Sequence, residues 1–547
     1  MAAIELVLAM LLAVIVSGYI ARILPFSLPL PIIQIALGGV IAGVLHHGVV
    51  LQPAIFFLLF LPPLLFLDGW RIPKDGLFRD RAAILQLALG LVVFTVIGAG
   101  YLIHWLIPVM PLAVAFALAA VVSPTDPIAV SSIAARAPVP PRLMHILEGE
   151  SLLNDASGLV CFQFAVAAAM TGRFSLATAS LTFLWVALVG LGVGVAFTLA
   201  VTAVQHGLSR RFGEESGSPI LISVLIPFGA YLLADRLQAS GILAAVAAGI
   251  TMSYAELGGS NLATTRLERS AVWNTIQFTL NGIMFVLLGE QLPNILRTAI
   301  ANVQQTGHRD PWWLAVYAVA ITIGLGLLRL VWVWVSLRVN LFRQRRAGAQ
   351  VTSPGWRLIL ATSLAGVRGA VTLAGILTLP LLLPDRSPFP VRGLAIYLAA
   401  AVILLSLIGA SVGLPQLLKG LKLPDEPATQ REEDRARSAA ACAAIESIKQ
   451  TQHEMLEHAS PAEADLYANA ASRVIAIYQR RAQASAPSDE KAARVLRKAD
   501  SVERKLRLSA LRAERAEYFN LARQRKLSDE TSRKLVREVD LIESRYR

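Results

Sequence analysis

The chain has 547 residues, 55% of them hydrophobic, and a mean hydropathy of +0.59, values that exclude an ordinary soluble multidomain protein and fit a polytopic membrane protein. The formal net charge of +13 does not mark a nucleic-acid binder, because residues 421–547 hold 25 Lys+Arg against 21 Asp+Glu and the excess lies in the first 420 residues, with 25 against 16. Two cysteines, Cys161 and Cys442, exclude a disulfide framework.

Apolar runs long enough to cross about 30 Å of hydrocarbon are predicted at 2–21, 29–46, 53–70, 82–105, 111–133, 142–170, 175–205, 218–235, 240–257, 271–296, 312–338, 356–383 and 391–417, thirteen in all. The first carries Glu5 instead of a basic start and lacks a small-residue cleavage site before Arg22, so it is expected to stay as a span. Loops after odd-numbered spans hold sixteen basic residues, among them Arg71, Lys74, Arg136, Arg210, Arg269 and Arg338, and loops after even-numbered spans hold six. Positive charge is retained on the cytoplasmic side. The alternation predicts a multi-pass protein with its N-terminus outside and its C-terminus in the cytoplasm, and the expected location is the plasma membrane, the bacterial inner membrane. Membrane lipids are then its surroundings.

The composition changes after Gly420, at LKLPDEPATQREED. Residues 1–420 are expected to form the membrane domain, and residues 421–547 a charged cytoplasmic region of three or four helices, rich in Ala, Glu, Lys, Arg and Leu and broken by Ser-Pro and Ala-Pro steps. Apolar positions such as Val495, Val502 and Leu506 are too sparse for a long coiled coil, which favours a small helical bundle or hairpins with a regulatory role over a solvated tail.

The chemistry lies in the fifth and sixth spans. Asp126, in LAAVVSPTDPIAVSSI, and Asp155, in HILEGESLLNDASGLVCF, are carboxylates in stretches otherwise apolar enough for a bilayer. Such a group costs at least a few kcal/mol and by default marks an ion or proton path. Pro124 and Pro127 remove backbone donors and push Ser123 and Asp126 away from helical dihedrals, so the fifth span is expected to open there. A counterpart is expected if the fold is a pair of inverted repeats. The twelfth span supplies one in SLAGVRGAVTLAG, where Gly366 and Gly369 flank Arg368, whose charge would be favourable near half-helix C-termini. In the sixth span Ser151 and Asp155 share a helical face. Glu150 lies about 140° around from Asp155 and has a potential partner of opposite sign in Arg329 of the eleventh span. A structural strut is the favoured reading of that pair, against a proton-carrying role for Glu150.

With SPTDPIAV, EGESLLNDASGLV, GVRGAV and LPPLLF in view, residues 1–420 resemble the monovalent cation:proton antiporters that include bacterial NhaP-type proteins and eukaryotic sodium/proton exchangers. The resemblance implies an all-α polytopic membrane protein of NhaA-like inverted-repeat fold, with about thirteen helices of which the fifth and twelfth are broken. It also implies a homodimer in which a core domain moves like an elevator against a dimerisation domain. By motif match, Asp155 would be the main cation and proton carboxylate, with Asp126, Thr125 and Ser151 helping to ligate Na+. Asn154 would replace the second aspartate of electrogenic relatives, which suggests one cation for one proton. The family also pairs the glutamate matching Glu150 with an arginine that falls at Arg329. Relatives often carry an acid directly after LPPLLF, where this chain has Leu67 and then Asp68. One residue is about 100° of helix, so Asp68 either ligates the cation or merely ends the third span.

Proton and cation then compete for Asp155, and exchange serves pH and sodium homeostasis. Hard oxygen ligands suit an alkali cation, whether Na+, Li+ or K+, and without a Cys or His cluster no cofactor is expected. A K+/H+ antiporter, a cation channel and a transporter-derived sensor are the alternatives. A hydrolase is disfavoured because no His is placed to activate Ser157.

Overall fold

The computed structural model describes residues 2–24, 28–45, 53–71, 86–126, 130, 141–171, 176–213, 217–256, 263–305, 310–346, 355–419, 427–457, 461–484 and 490–544. They form two compact units, Met1–Leu421 and Lys422–Arg547. Apart from one isolated bridge between Leu382 and Pro388, the regular structure among the described residues is helical.

In the first unit the helices are α1 (Ala2–Ile23), α2 (Leu30–Leu45), α3 (Pro53–Arg71), α4 (Leu91–Leu106), α5 (Leu112–Val122), α6 (Pro141–Thr171) and α7 (Leu176–Phe212). They continue as α8 (Gly217–Arg236), α9 (Gly241–Ala255), α10 (Ala263–Gln305), α11 (Trp313–Arg346), α12 (Trp356–Leu364), α13 (Ala370–Leu377) and α14 (Arg392–Leu418). Six of them contain stretches long and apolar enough to cross a membrane, Glu5–Ile23, Leu184–Phe212, Gly217–Arg236, Thr265–Ile300, Trp313–Val339 and Arg392–Leu418, and five shorter apolar helices accompany these among the described residues. Large side chains such as Leu8, Leu12, Trp185 and Leu188 are exposed, as lipid-facing positions require.

Several helices outrun their hydropathy peaks. Arg269 was expected in a loop, and the structure places it inside α10, 1% exposed and paired with Glu256 at the end of α9; Trp70 Nε1 donates to the other oxygen of Glu256 at 2.8 Å. Arg210, Arg211 and Arg338, also expected in loops, lie in the final turns of α7 and near the end of α11. For these three exposed arginines backbone hydrogen bonding continues past the hydrocarbon edge, where charged side chains reach water, so the hydropathy signal stops before the helix does.

Packing sorts the unit into two groups. In one, α10 lies along α2, and α9 against α3, α7 and α8; in the other, α5 packs on α4 and α6, and α14 on α11, α12 and α13. The groups meet where α10 touches α13 and α14 and where α3 touches α13 and α6. The closest approach is between α2 and α10, where a Cβ on Gly38 would fall on the Val286 carbonyl and one on Gly289 on the Ile35 carbonyl. Only a missing side chain on each helix lets the backbones come so near.

In the second unit α15 (Pro427–Leu456) packs against α16 (Pro461–Ala484), and α17 (Glu490–Arg523) against α18 (Asp529–Ser544). Arg515 of α17 bridges to Asp540 at 2.7 Å and to Glu543, both on α18.

Replacing Gly289 with leucine is expected to cost about 1–3 kcal/mol by forcing α2 and α10 apart. Thermal unfolding in detergent reads this as a lower midpoint, and an unchanged midpoint contradicts the close approach.

Candidate cation site

α5 stops at Val122, with Ser123 as its C-cap, and Pro124–Asp126 are not helical. Pro124 accounts for the stop, because it has no N–H to give to the preceding turn. The expectation that it would also push Ser123 away from helical dihedrals is not met: Ser123, which caps α5, stays right-handed at φ −70°, ψ −44°, and the chain departs from the helix only after it. Pro127 lies outside the described residues, and so does any half-helix that follows it. The chain is interrupted again between α12 and α13, where residues 365–369 are non-helical and Gly369 is extended at φ −129°, ψ −154°.

The two interruptions touch. The Asp126 N–H donates to the Val367 carbonyl at 2.7 Å. Arg368, 5% exposed, donates from Nε to the Val122 carbonyl at 2.8 Å and from a terminal nitrogen to the Gly366 carbonyl, which puts its charge at the C-terminal end of α5. Its own N–H donates to Ser406 Oγ of α14 at 3.2 Å. Gly369 has no side chain to keep Asp126 away, since a Cβ there would collide with the Asp126 carboxylate.

α6 presents two faces to this junction. On one, Ser151 and Asp155 are 4% and 5% exposed and point into a cavity of ≈ 30 Å³, room for about one water or one dehydrated alkali ion. Thr125, Asp126 and Gly369 line the same cavity from the interruptions and Thr372 lines it from α13; from the other packing group come Leu64 and Asp68 of α3 and Asn281 of α10. α3 runs on to Arg71, so Asp68 does not end it.

On the other face, Asn154 Nδ2 donates to Thr125 Oγ1 at 3.0 Å, and Thr125 Oγ1 donates to Glu150 Oε1 at 3.2 Å. Both oxygens of Glu150 receive the Arg329 guanidinium, the Nη2 to Oε2 distance being 2.8 Å, and Arg329 Nε donates to the Thr362 carbonyl of α12 at 3.3 Å. Glu150 and Arg329 are 0% and 2% exposed. This network ties α6, the end of α5, α11 and α12 together beside the cavity. A hydroxyl has one proton and two lone pairs. Thr125, with its proton on Glu150 and one lone pair taken by Asn154, keeps a second lone pair for the cavity.

Of the residues singled out in the sequence, Asp155, Asp126, Ser151, Thr125 and Asp68 converge on the cavity, whereas Asn154, Glu150, Arg329 and Arg368 stand behind it. Asn281 and Thr372 were missed. Asn281 is the one polar side chain between Leu280 and Val286, a signal that could have marked it. Electrostatically, Asp68, Asp126 and Glu150 all act on Asp155. Among the described residues these four carboxylates interact with three guanidiniums, Arg329, Arg368 and, through Asp68, Arg71, so added positive charge at Asp155 is favoured. The Asp155 carboxylate has no hydrogen-bond partner among the described residues, and a proton or a bare cation is what it can take up.

The family described as "Sodium/hydrogen exchanger, transmembrane" matches residues 8–420. The uncharacterized Na+/H+ exchanger YjcE of Escherichia coli is 40% identical over 543 residues, 98% of each chain. The sodium, potassium, lithium and rubidium/H+ antiporter of Bacillus subtilis is 43% identical over 419 residues, 75% of this chain and 61% of that protein. Among solved structures, the sodium proton antiporter MjNhaP1 from Methanocaldococcus jannaschii superposes with a TM-score of 0.59 at 18% identity, covering 77% of this chain and 99% of that one, a likeness of fold. The chain belongs to the sodium/hydrogen exchanger family, which is a family of transporters.

Arg329→Ala leaves the Glu150 carboxylate buried without its cation and is expected to cost about 3–5 kcal/mol. Thermal unfolding measures it, and the double variant Glu150→Gln/Arg329→Gln should recover part of the loss.

Proposed function

We propose that this protein is a secondary active antiporter exchanging Na+, or another monovalent cation, for H+ with one of each per cycle. The observation that carries the reading is the Asp155 carboxylate, 5% exposed and turned into a cavity with room for about one ion, beside the oxygens of Asp126, Thr125, Ser151 and Asp68. Asp155 holds either a proton or the cation. Neutralised by one or the other, the group of helices carrying Asp126 and Asp155 crosses past the group carrying Asp68 and Asn281. Charged and empty, Asp155 is too costly to carry through the apolar interior, which makes exchange obligatory.

Asn154 supports a stoichiometry of one to one, because it offers an amide where a second carboxylate would add a second exchangeable charge. Glu150 is held by Arg329 as a strut and takes no part in proton transfer. The interrupted stretches at 123–126 and 365–369 support an NhaA-like inverted-repeat fold with broken fifth and twelfth helices, and the two packing groups support an elevator motion in a homodimer. The alternating loop charge supports an inner-membrane topology with the N-terminus outside and residues 421–547 in the cytoplasm as a regulatory region. The match to the E. coli relative covers 98% of this chain and so extends into that region. The role is pH and sodium homeostasis. K+/H+ exchange is the second reading, favoured by the four alkali cations that the B. subtilis relative is named for.

The test is flux in proteoliposomes with imposed pH and sodium gradients. Asp155→Ala is expected to abolish cation-dependent proton movement, and retained exchange rejects the site. Asn154→Asp is expected to make exchange sensitive to membrane potential, whereas flux that stays insensitive contradicts the role given to Asn154.

A further inference from the structure

A second feature lies away from the cation site. Between Asp310 and Asp385 the chain contains no acidic residue and seven arginines. Arg329 and Arg368 are committed to the buried site; the other five fall between residues 338 and 357, in the last turns of α11 and the first turn of α12.

There the two helices leave a groove of ≈ 910 Å³, at the upper end of the range of about 300–1,000 Å³ for ligand pockets. Its walls are apolar, with Leu330, Val331, Leu337 and Leu341 from α11 and Ile359 and Leu360 from α12. Trp334, Arg338, Phe342 and Trp356 complete the lining, and a guanidinium lies over each of the three aromatic rings. The Arg338 guanidinium lies 5.3 Å from the Trp334 ring centre, that of Arg357 5.6 Å from Trp356, and that of Arg346 4.5 Å from Phe342. α12 also begins here, and its N-cap, Gly355, offers no side chain to its first-turn N–H groups.

We infer that this groove is a seat for an anionic phospholipid, with its phosphate between Arg338, Arg357 and the start of α12 and an acyl chain along the apolar walls. A soluble anion would satisfy the arginines and leave the hydrocarbon walls unfilled. A zwitterionic lipid would fill the walls and set its own cation among the guanidiniums. Stacking on aromatic faces holds the guanidiniums in place for a phosphate, and tryptophans in the lining suit the level of lipid headgroups. The seat also bears on the strut, since α11 supplies Arg329 and α12 the Thr362 carbonyl it binds, so a lipid wedged between the helices braces that contact.

The test uses the purified full-length chain, stripped of lipid in detergent and titrated with phosphatidylglycerol, phosphatidylcholine or glycerol phosphate. Binding is followed by native mass spectrometry and by thermal unfolding. Phosphatidylglycerol is expected to bind and raise the unfolding midpoint, with the other two far weaker. Arg338→Gln and Arg357→Gln are each expected to weaken phosphatidylglycerol about five-fold, the worth of one basic residue near an anionic surface, while the lysine double variant keeps most of the affinity and controls for folding. Equal binding of phosphatidylcholine, or unchanged phosphatidylglycerol affinity in the glutamine variants, overturns the proposal. An oligomeric state that changes in the glutamine variants while lipid binding does not points to a second copy of this chain in the groove, and overturns it too.

Discussion

Backbone groups released where a helix stops inside an apolar interior must find partners within the protein, and that constraint organises the membrane unit. The chain meets it by letting one interruption serve the other: the Asp126 N–H is satisfied by Val367, and the Val122 carbonyl by Arg368. Neither stretch would be tolerable alone. Together they bring the Asp126 carboxylate against Gly369 and open a small polar cavity among close-packed helices.

The remaining charges divide by what they face. Glu150 and Arg329 spend their hydrogen-bonding capacity on each other and on Thr125 and Thr362, which fixes α6 relative to α11 and α12. Asp155, five residues further along and on another face, accepts no hydrogen bond from the described residues and lines the cavity. Placing one acid in a closed network and another at an open cavity gives two carboxylates of the same helix different work. The cavity lies where the two packing groups meet, with Asp68 and Asn281 on one side and Asp126, Ser151 and Asp155 on the other. A cation held there touches both groups, so a relative slide of the groups changes its ligands.

Much of this was legible because membrane interiors make polar residues conspicuous. Pro124 and Pro127 on either side of the Thr125–Asp126 pair, glycines flanking Arg368, and opposite charges at Glu150 and Arg329 all stand out from apolar surroundings, and buried charges of opposite sign seek each other. Helix rotation was harder to read. Asn281 and Thr372 are small uncharged groups whose direction depends on how α10 and α13 are turned by their neighbours, and nothing local fixes that. The backbone bond from Asp126 to Val367 joins positions far apart in the chain and leaves no mark in side-chain chemistry. Hydropathy also placed Arg269 in a loop because it registers lipid contact, whereas that guanidinium is buried at the helix end against Glu256.

The central claim is that one carboxylate holds a proton and a cation by turns. Calorimetric titration of the purified protein with NaCl, repeated in buffers of different ionisation enthalpy, measures the protons released per sodium bound. About one proton leaving for each sodium that binds, with both signals lost in Asp155→Asn, is the predicted result. Sodium binding without proton release would contradict the account.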